Sequence, residues 1–208
     1  MNDPYMPLER KERLVECALR IILKYKFPLH ITTKGSLVER DADLIRQIGE
    51  VYSAVSFSIS TANDDLARKT EPGAPATSRR MAAMKFLADK GIYTGIVLCP
   101  VLPFISDTEE NIRQIVELAI DHGASYILGW MGMTQREGQR EHYYSELDRL
   151  FPGVRQQYVR TFSNNYECPS PSAEKLWQVF SEICDKLNMP LKMKFYEEHP
   201  PQQMFLFG

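Results

Sequence analysis

The sequence predicts an α/β protein in which helices cover a parallel sheet, arranged as a partial (β/α) barrel. Helix and strand patterns alternate through the first 134 residues. Each strand is a short apolar run, and polar or turn-forming residues stand where it ends. The alternation shows no sign of a topological switch, which favours a barrel over a doubly wound sheet. In barrels of this kind, functional residues collect at the carboxyl ends of the strands.

The first two strands and their helices follow from apolar periodicity. Leu14, Ala18 and Ile21 recur at helical spacing on one face, and Pro28 ends that helix. The strand that follows is short and leads directly into Lys34-Gly35-Ser36. The expected elements are a helix over Leu8–Lys24, a strand over Leu29–Thr33, a helix over Leu37–Val51 and a strand over Ala54–Ile59.

Glycines mark the ends of the next two helices. Gly91 and Gly123 each follow an amphipathic stretch, in the position where positive φ is common after a helix. Beyond Thr134 the alternation stops. The expected elements are a helix over Thr77–Lys90, a strand over Tyr93–Val101, a helix ending near His122, a strand over Tyr126–Trp130, helices near 139–150, 154–162 and 173–187, and a last strand over Leu191–Phe195.

These patterns divide the chain into three parts. Residues 1–134 are expected to form an incomplete (β/α) barrel core, 135–198 a helical C-terminal extension with a last strand, and 199–208 a flexible tail. The first element is a helix, although the loop-like residues 2–7 before it would ordinarily leave a strand. We therefore expect the barrel to lack its first strand–helix units.

Composition narrows the classes of function. The net charge is −2 over 208 residues, so the chain as a whole does not attract nucleic acid, and a nucleic-acid site would need a local basic patch. No apolar run is long enough to span a membrane, and the N-terminus lacks the apolar region of a signal peptide. We expect a cytoplasmic protein without membrane contact, whose four scattered cysteines form neither a disulfide framework nor a metal site.

Several polar residues stand at the predicted strand ends. Lys34 follows an apolar strand, where it would bind an anion, form a Schiff base or remain a solvated turn lysine. Ser58 and Ser60 share one face of a strand, as ligand-binding or internally bonded hydroxyls. Arg80 begins a helix, where it would clamp a carboxylate or join a surface ion pair with Glu71. The Gly- and Met-rich segment 129–136 is typical of a pocket lining, although packing explains its methionines equally well.

The C-terminal tail carries a short motif. Gln203, Met204, Leu206 and Phe207 follow two prolines and resemble the peptide with which bacterial replication and repair proteins bind a sliding clamp. An apolar peptide at a chain end would either dock on a partner or pack on its own domain. We expect a sliding clamp to be one candidate partner.

Taken together, the strand-end motifs resemble the radical S-adenosylmethionine (SAM) proteins related to spore photoproduct lyase, also called DNA repair photolyase-like. The order and spacing of the motifs, over about Asp3 to Phe195, make the resemblance specific. The matching stretches are Asp3-Pro4-Tyr5-Met6-Pro7-Leu8-Glu9, Thr32-Thr33-Lys34-Gly35-Ser36, Val55-Ser56-Phe57-Ser58-Ile59-Ser60-Thr61, Glu71-Pro72, Pro100-Val101-Leu102-Pro103-Phe104, Gly132-Met133-Thr134 and Gln139-Arg140.

The resemblance implies a partial (β/α) barrel that binds SAM and a 4Fe–4S cluster and makes a 5′-deoxyadenosyl radical, with nucleic acid as a candidate substrate. It places Asp3, Pro4 and Tyr5 near the SAM amino group and Lys34 at the SAM carboxylate. It also implies that Ser58 and Ser60 line the ribose, that Arg80 is a weaker candidate for the carboxylate and that the turn at Val101 passes near the adenine.

One departure from the family is decisive for the chemistry. The family holds its cluster with a CxxxCxxC loop, and this sequence contains no such motif. The leading hypothesis is therefore the C-terminal part of a radical SAM enzyme, inactive as written. The alternatives are a Schiff-base lyase or aldolase using Lys34, and a non-catalytic protein that docks on a sliding clamp through its tail.

Overall fold

A computed structural model describes residues 3–198. The helices in this range are α1 (Glu9–Glu12), α2 (Leu14–Tyr25), α3 (Ala42–Ile48), α4 (Asp64–Thr70), α5 (Thr77–Asp89), α6 (Glu109–Asp121), α7 (Arg140–Leu150), α8 (Val154–Phe162) and α9 (Ala173–Lys186), with a 3-10 helix over Ser36–Asp41. The strands are β1 (Leu29–Thr33), β2 (Ser53–Ile59), β3 (Tyr93–Leu98), β4 (Ile127–Gly129), β5 (Gly132–Thr134) and β6 (Glu167–Pro169).

Strands β1 to β4 form one parallel sheet in the order of the sequence. Ile31 pairs with Val55, Phe57 with Ile96, and Val97 with Leu128, so the carboxyl ends of the strands lie along one edge. Every residue of β2 is buried, as expected for an inner parallel strand covered on both sides. The predicted alternation of parallel strands and outer helices is confirmed.

The main core lies between this sheet and the helices packed on it. Phe57 and Ile96 from the strands meet Leu19 from α2 and Met84 from α5. Helix α9 belongs to the same core, because Phe180 is fully buried in it and the helix packs along α6. Helices α5, α6 and α9 stabilise the sheet through buried apolar stripes at helical spacing. Helix α2 differs from the expectation, because it packs on the core through Leu19 and exposes the face formed by Leu14, Ala18 and Ile21.

A second, smaller core lies beside the carboxyl edge of the sheet. It joins Leu102, in the loop after β3, to Met133 in β5, Leu147 in α7 and Tyr158 in α8. Strands β5 and β6 pair antiparallel across this region. A Cβ atom at Gly132 would lie 2.7 Å from the Cα atom of Pro169, so only glycine allows the two strands to approach this closely.

The structure corrects three expected elements and adds the helix α4. The first helix breaks at Arg13, which has a φ of 53°, because the Glu9 carboxylate accepts a hydrogen bond from the Val15 amide (3.1 Å) and starts α2 separately. The second begins as a 3-10 helix, and α4, whose N-cap Asn63 accepts from the Leu66 amide, has no counterpart among the predicted elements. The expected strand over Leu191–Phe195 is wrong, because the Lys194 backbone bonds the hydroxyls of Tyr52 and Tyr93 and not the backbone of a neighbouring strand.

Candidate active site at the carboxyl edge of the sheet

Asp3 fixes the first described residues over the end of β1. Its carboxylate accepts hydrogen bonds from the Thr33 hydroxyl (2.6 Å), the Lys34 amide (2.6 Å) and the Tyr5 amide (2.8 Å). The predicted neighbours Asp3, Pro4, Tyr5 and Lys34 therefore lie together at one strand end. A carboxylate with this many donors is held rigidly in place.

Tyr5 and Glu9 extend this attachment into a buried charged cluster. The Tyr5 hydroxyl donates to Asp41 (3.1 Å), and the Arg40 guanidinium donates to both Asp41 and Glu9 (2.7 Å each). Burial and the adjacent Asp41 carboxylate raise the pKa of Tyr5, so its phenol remains a donor at neutral pH. Burial acts to raise the pKa of Glu9, but the hydrogen bonds from Arg40 and the Val15 amide lower it overall.

Lys34, Glu71 and Arg80 form a chain of charges beside this cluster. Glu71 lies 3.7 Å from the Lys34 ammonium through Oε1 and 2.5 Å from the Arg80 guanidinium through Oε2. Arg80 is 1% exposed and also donates to the carbonyl oxygens of Pro75 (2.7 Å) and Ser58 (2.9 Å). Glu71 Oε2 and Arg80 Nη2 are close enough for an ion pair but are not aligned as a hydrogen bond.

The remaining predicted residues line the ends of β2 and β3. The Ser58 hydroxyl donates to the Cys99 carbonyl (2.7 Å), whereas the buried Ser60 hydroxyl has no hydrogen-bond partner within residues 3–198. Val101 is fully buried, and its amide donates to the Gly132 carbonyl (3.0 Å). Asn111, which the sequence reasoning missed, bonds the Ser60 carbonyl (3.2 Å) from α6. Asn111 follows the acidic first turn of α6, so in the sequence it is not distinguished from an ordinary polar residue of a helix start.

A cavity of about 640 Å³ opens between these strand ends and helix α7. The sheet side contributes Lys34, Glu71 and Pro100, and the other side contributes Met133 and Tyr143. The predicted pocket-lining segment 129–136 does reach it, through residues 133–136. Cavities of this size hold small organic ligands, with buried polar groups fixing their orientation.

The cysteines do not fit an iron–sulfur cluster. Cys17 lies exposed on α2, Cys99 follows β3, Cys168 lies in β6, and Cys184 lies in α9. No three His, Cys, Asp or Glu side chains within residues 3–198 are grouped as metal ligands. Burial raises the pKa of Cys99 and Cys168, and that of Cys184 to about 12. Because the four cysteines lie on separate elements and are not grouped, they do not supply the adjacent thiolates that a cluster needs.

The polar atoms at the sheet edge do fit the polar groups of SAM. Ser60 Oγ is a buried donor without a hydrogen bond among the described residues, whereas Arg80 Nη2 is already paired with the Glu71 carboxylate. Lys34, with a side chain 34% exposed, supplies a cation at the mouth of the cavity. The Ser60 hydroxyl can bond a ribose hydroxyl and the Lys34 ammonium can pair with a carboxylate, both of which SAM carries.

Two further expectations concern the C-terminal tail and the membrane. The clamp-binding motif, Gln203, Met204, Leu206 and Phe207, lies outside the described residues. None of the helices within residues 3–198 has the length and apolar character needed to cross a bilayer.

Comparison with known proteins matches the sheet region to a protein family. The radical SAM superfamily matches residues 1–134. The Mycobacterium bovis protein Mb2609c is 26% identical over 189 residues, covering 90% of this chain and 55% of that protein. The radical SAM Nalpha-GlyT isomerase of Pseudomonas phage M6 is 26% identical over 127 residues, covering 61% of this chain and 26% of that protein. The chain therefore spans about half the length of the mycobacterial relative, and less of the phage protein.

Solved structures show the same fold. Spore photoproduct lyase complexed with dinucleoside spore photoproduct superposes with a TM-score of 0.57 at 15% identity, covering 86% of this chain and 54% of the lyase. The radical SAM methyltransferase TsrM from Kitasatospora setae gives a TM-score of 0.57 at 13% identity, covering 86% of this chain and 42% of TsrM. The parallel sheet, its outer helices and the match over residues 1–134 together show that this chain belongs to the radical SAM superfamily.

Proposed function

We propose that this chain forms the SAM-binding and substrate-binding part of a radical SAM enzyme, whose cluster thiolates come from residues outside these 208. One observation carries the proposal. The region that matches the superfamily supplies the strand ends where Lys34, Glu71 and Arg80 meet beside a cavity. Bound SAM would supply a carbon-centred radical that abstracts hydrogen from the substrate.

Each predicted residue has a role that its contacts permit. Lys34 would pair with the SAM carboxylate, because its ammonium is partly exposed and shares Glu71 with Arg80. Ser60 would donate to a ribose hydroxyl, while Ser58, already donating to Cys99, would accept from one. Arg80 would act mainly by holding Glu71 and the Ser58 carbonyl in place.

The remaining roles concern the loops around SAM. The segment Asp3-Pro4-Tyr5 would approach the SAM amino group, with Asp3 fixing its position on β1. The turn at Val101 would pass near the adenine and is anchored through the Gly132 carbonyl. Residues 1–134 would then act as the barrel core and 135–198 as the wall that faces the substrate.

We propose nucleic acid as the substrate class. The support is analogy with a fold neighbour solved with a dinucleoside, together with two exposed cations beside the cavity, Lys69 and Arg136. The free thiols of Cys17, Cys99, Cys168 and Cys184 suit a reducing compartment, and we place the enzyme in the cytoplasm.

The test uses the native protein purified from its source cell. Its intact mass and N-terminal sequence would first be measured, and it would then be reconstituted anaerobically with iron and sulfide. We expect cluster absorbance and release of 5′-deoxyadenosine from SAM after reduction. A protein that carries no cluster cysteines, or that loads a cluster without cleaving SAM, would contradict the proposal.

Two alternatives have separate tests. A Schiff-base lyase would be trapped on Lys34 by borohydride with a carbonyl substrate, but this lysine lacks the apolar enclosure that such chemistry requires. A clamp-binding protein would lose its partner in a pull-down when the chain is cut after Pro201. No contact within the described residues favours either alternative over the radical SAM proposal.

A further inference from the structure

A buried amide in the cavity wall has an unused donor. Gln135 follows β5, is 3% exposed and lines the cavity. Its Oε1 atom accepts from Arg140 Nε (3.3 Å) and the Tyr144 hydroxyl (3.4 Å), and its Nε2 atom has no partner among the described residues. Because an arginine N–H can only donate, the amide oxygen must face Arg140, which leaves the NH2 group as the orphan.

The surrounding contacts hold this amide in position. The Gln135 backbone amide donates to the Tyr166 carbonyl (2.7 Å). Arg140 is fixed in turn, because its guanidinium donates to the carbonyl oxygens of Asn164 (2.9 Å) and Asn165 (3.1 Å). A buried donor is costly to leave without an acceptor, so its natural partner is an acceptor atom of a ligand in the cavity.

The rest of the wall indicates what the ligand looks like. Much of the lining is apolar and includes two aromatic rings; these residues are Leu102, Ile105, Met133, Tyr143, Leu147 and Phe151. The two acids in the lining are already paired, Glu71 with Arg80 and Glu146 with Arg149.

Two cationic side chains of the wall, unlike its two acids, are not in ion pairs within the described residues. Lys69 and Arg136 are exposed and have no ion pair within residues 3–198. They leave the mouth of the cavity with an excess of positive charge, which favours an anion there. The apolar and aromatic wall favours a flat ligand, and the buried Gln135 donor favours one that carries an acceptor atom. The unpaired cations at the mouth favour a negative charge on the same ligand.

We propose that this cavity binds a negatively charged ligand with a planar, carbonyl-bearing head, and that Gln135 Nε2 donates to the carbonyl oxygen. The apolar lining would cover the planar head, and Lys69 and Arg136 would face the anionic group. Taking this ligand as the enzyme's substrate rests on the proposed function. Gln135 then determines specificity, because a ligand without the carbonyl leaves its amide unpaired.

Uridine 5′-monophosphate is the probe, since it joins a planar ring with carbonyl oxygens to a phosphate. Calorimetric titration of the full chain needs neither cluster nor SAM, so its result is independent of any SAM-cleavage assay. We expect saturable binding, with uridine and phenyl phosphate each weaker by about tenfold or more. No saturable binding, or equal binding of phenyl phosphate, would overturn the proposal.

Two matched variants isolate the donor. Gln135→Glu keeps the shape and the acceptor facing Arg140 but replaces the NH2 donor, while Gln139→Glu introduces the same charge at an exposed position of the same wall. We expect Gln135→Glu to weaken binding about tenfold more than Gln139→Glu. Equal weakening would overturn the role of Gln135. Circular dichroism checks that each variant is folded. The neutral variant Gln135→Met should lose the same binding affinity for uridine 5′-monophosphate as Gln135→Glu.

Discussion

The carboxylate of Asp3 accepts hydrogen bonds from three donors that belong to two separate segments, at Tyr5 and at Thr33–Lys34. Asp3→Asn would place an NH2 group against at least one of these donors. We expect the free energy of unfolding to fall by about 1–3 kcal/mol, because at least one of these partly buried donors loses its acceptor. Urea denaturation measures the change.

The control for this variant is Asp65→Asn, since the Asp65 side chain is 82% exposed. Its effect should stay within about 0.5 kcal/mol. Equal effects of the two substitutions would show that Asp3 does not anchor the N-terminal segment.

Glu9 links stability to pH. Its hydrogen bonds with Arg40 and the Val15 amide lower its pKa in the folded state below the usual 4.5, despite burial. Ionised Glu9 therefore makes its full contribution to the free energy of unfolding above about pH 4.5. This contribution is lost as the pH falls through the lower pKa of the folded state. Glu9→Gln should cost about 2 kcal/mol at pH 7, because Arg40 loses a charged partner but keeps Asp41.

Urea titrations of wild type and Glu9→Gln at several pH values measure this difference. It should shrink as the solution is acidified below about pH 4. Glu12→Gln, at a carboxylate 44% exposed, is the control and should show little difference at any pH. A Glu9 difference that stays constant with pH would show that packing, and not charge, accounts for it.

The β5–β6 pair depends on one glycine. A Cβ atom at Gly132 would lie 2.8 Å from the Cys168 carbonyl oxygen and 2.7 Å from the Pro169 Cα, which are backbone atoms that cannot rotate away. Gly132→Ala should therefore separate the strands, destabilise the protein by about 2–3 kcal/mol and disturb the cavity wall.

Gly129→Ala provides the comparison for that variant. Its Cβ atom would meet the Phe180 ring at 3.0 Å, and a side chain can shift where backbone cannot. We expect a smaller loss in thermal denaturation. A larger loss for Gly129→Ala would indicate that the packing of α9 on β4 is the more sensitive contact.

Elements with a strong apolar period could be predicted from sequence, and elements fixed by side-chain bonds could not. The four parallel strands and helices α5 to α9 follow from spacing, because burial of one face dictates it. The break at Arg13 depends on a carboxylate six residues from the amide it caps, at Val15. Likewise, the partners of Lys34 and the burial of Gln135 depend on distant loops, which no local pattern reveals.

The two edges of the four-stranded sheet differ. Beyond β4, the Ile127 amide is bonded to the Pro190 carbonyl (2.9 Å). Strand β1, within residues 3–198, pairs with β2 alone. Helix α2 beside it exposes Leu14 and Ile21 by 67% and 56%. Within the described residues, therefore, the β4 edge is partly covered by the chain itself, whereas the β1 edge and the adjacent apolar side chains of α2 are not.

The matched region 1–134 shares its core with α9, so the molecule should unfold as one unit. Phe180 is fully buried, and Leu176 and Ile183 from the same helix join Ile112 and Ile115 of α6 in the main core. A chain ending at residue 134 would expose the face of α6 that α9 covers and lose these contacts. We expect it to show no cooperative transition in urea, whereas a chain ending at residue 198, which keeps α9, should unfold cooperatively. Cooperative unfolding of the 1–134 chain, followed by circular dichroism, would instead show that the barrel part is stable without α9.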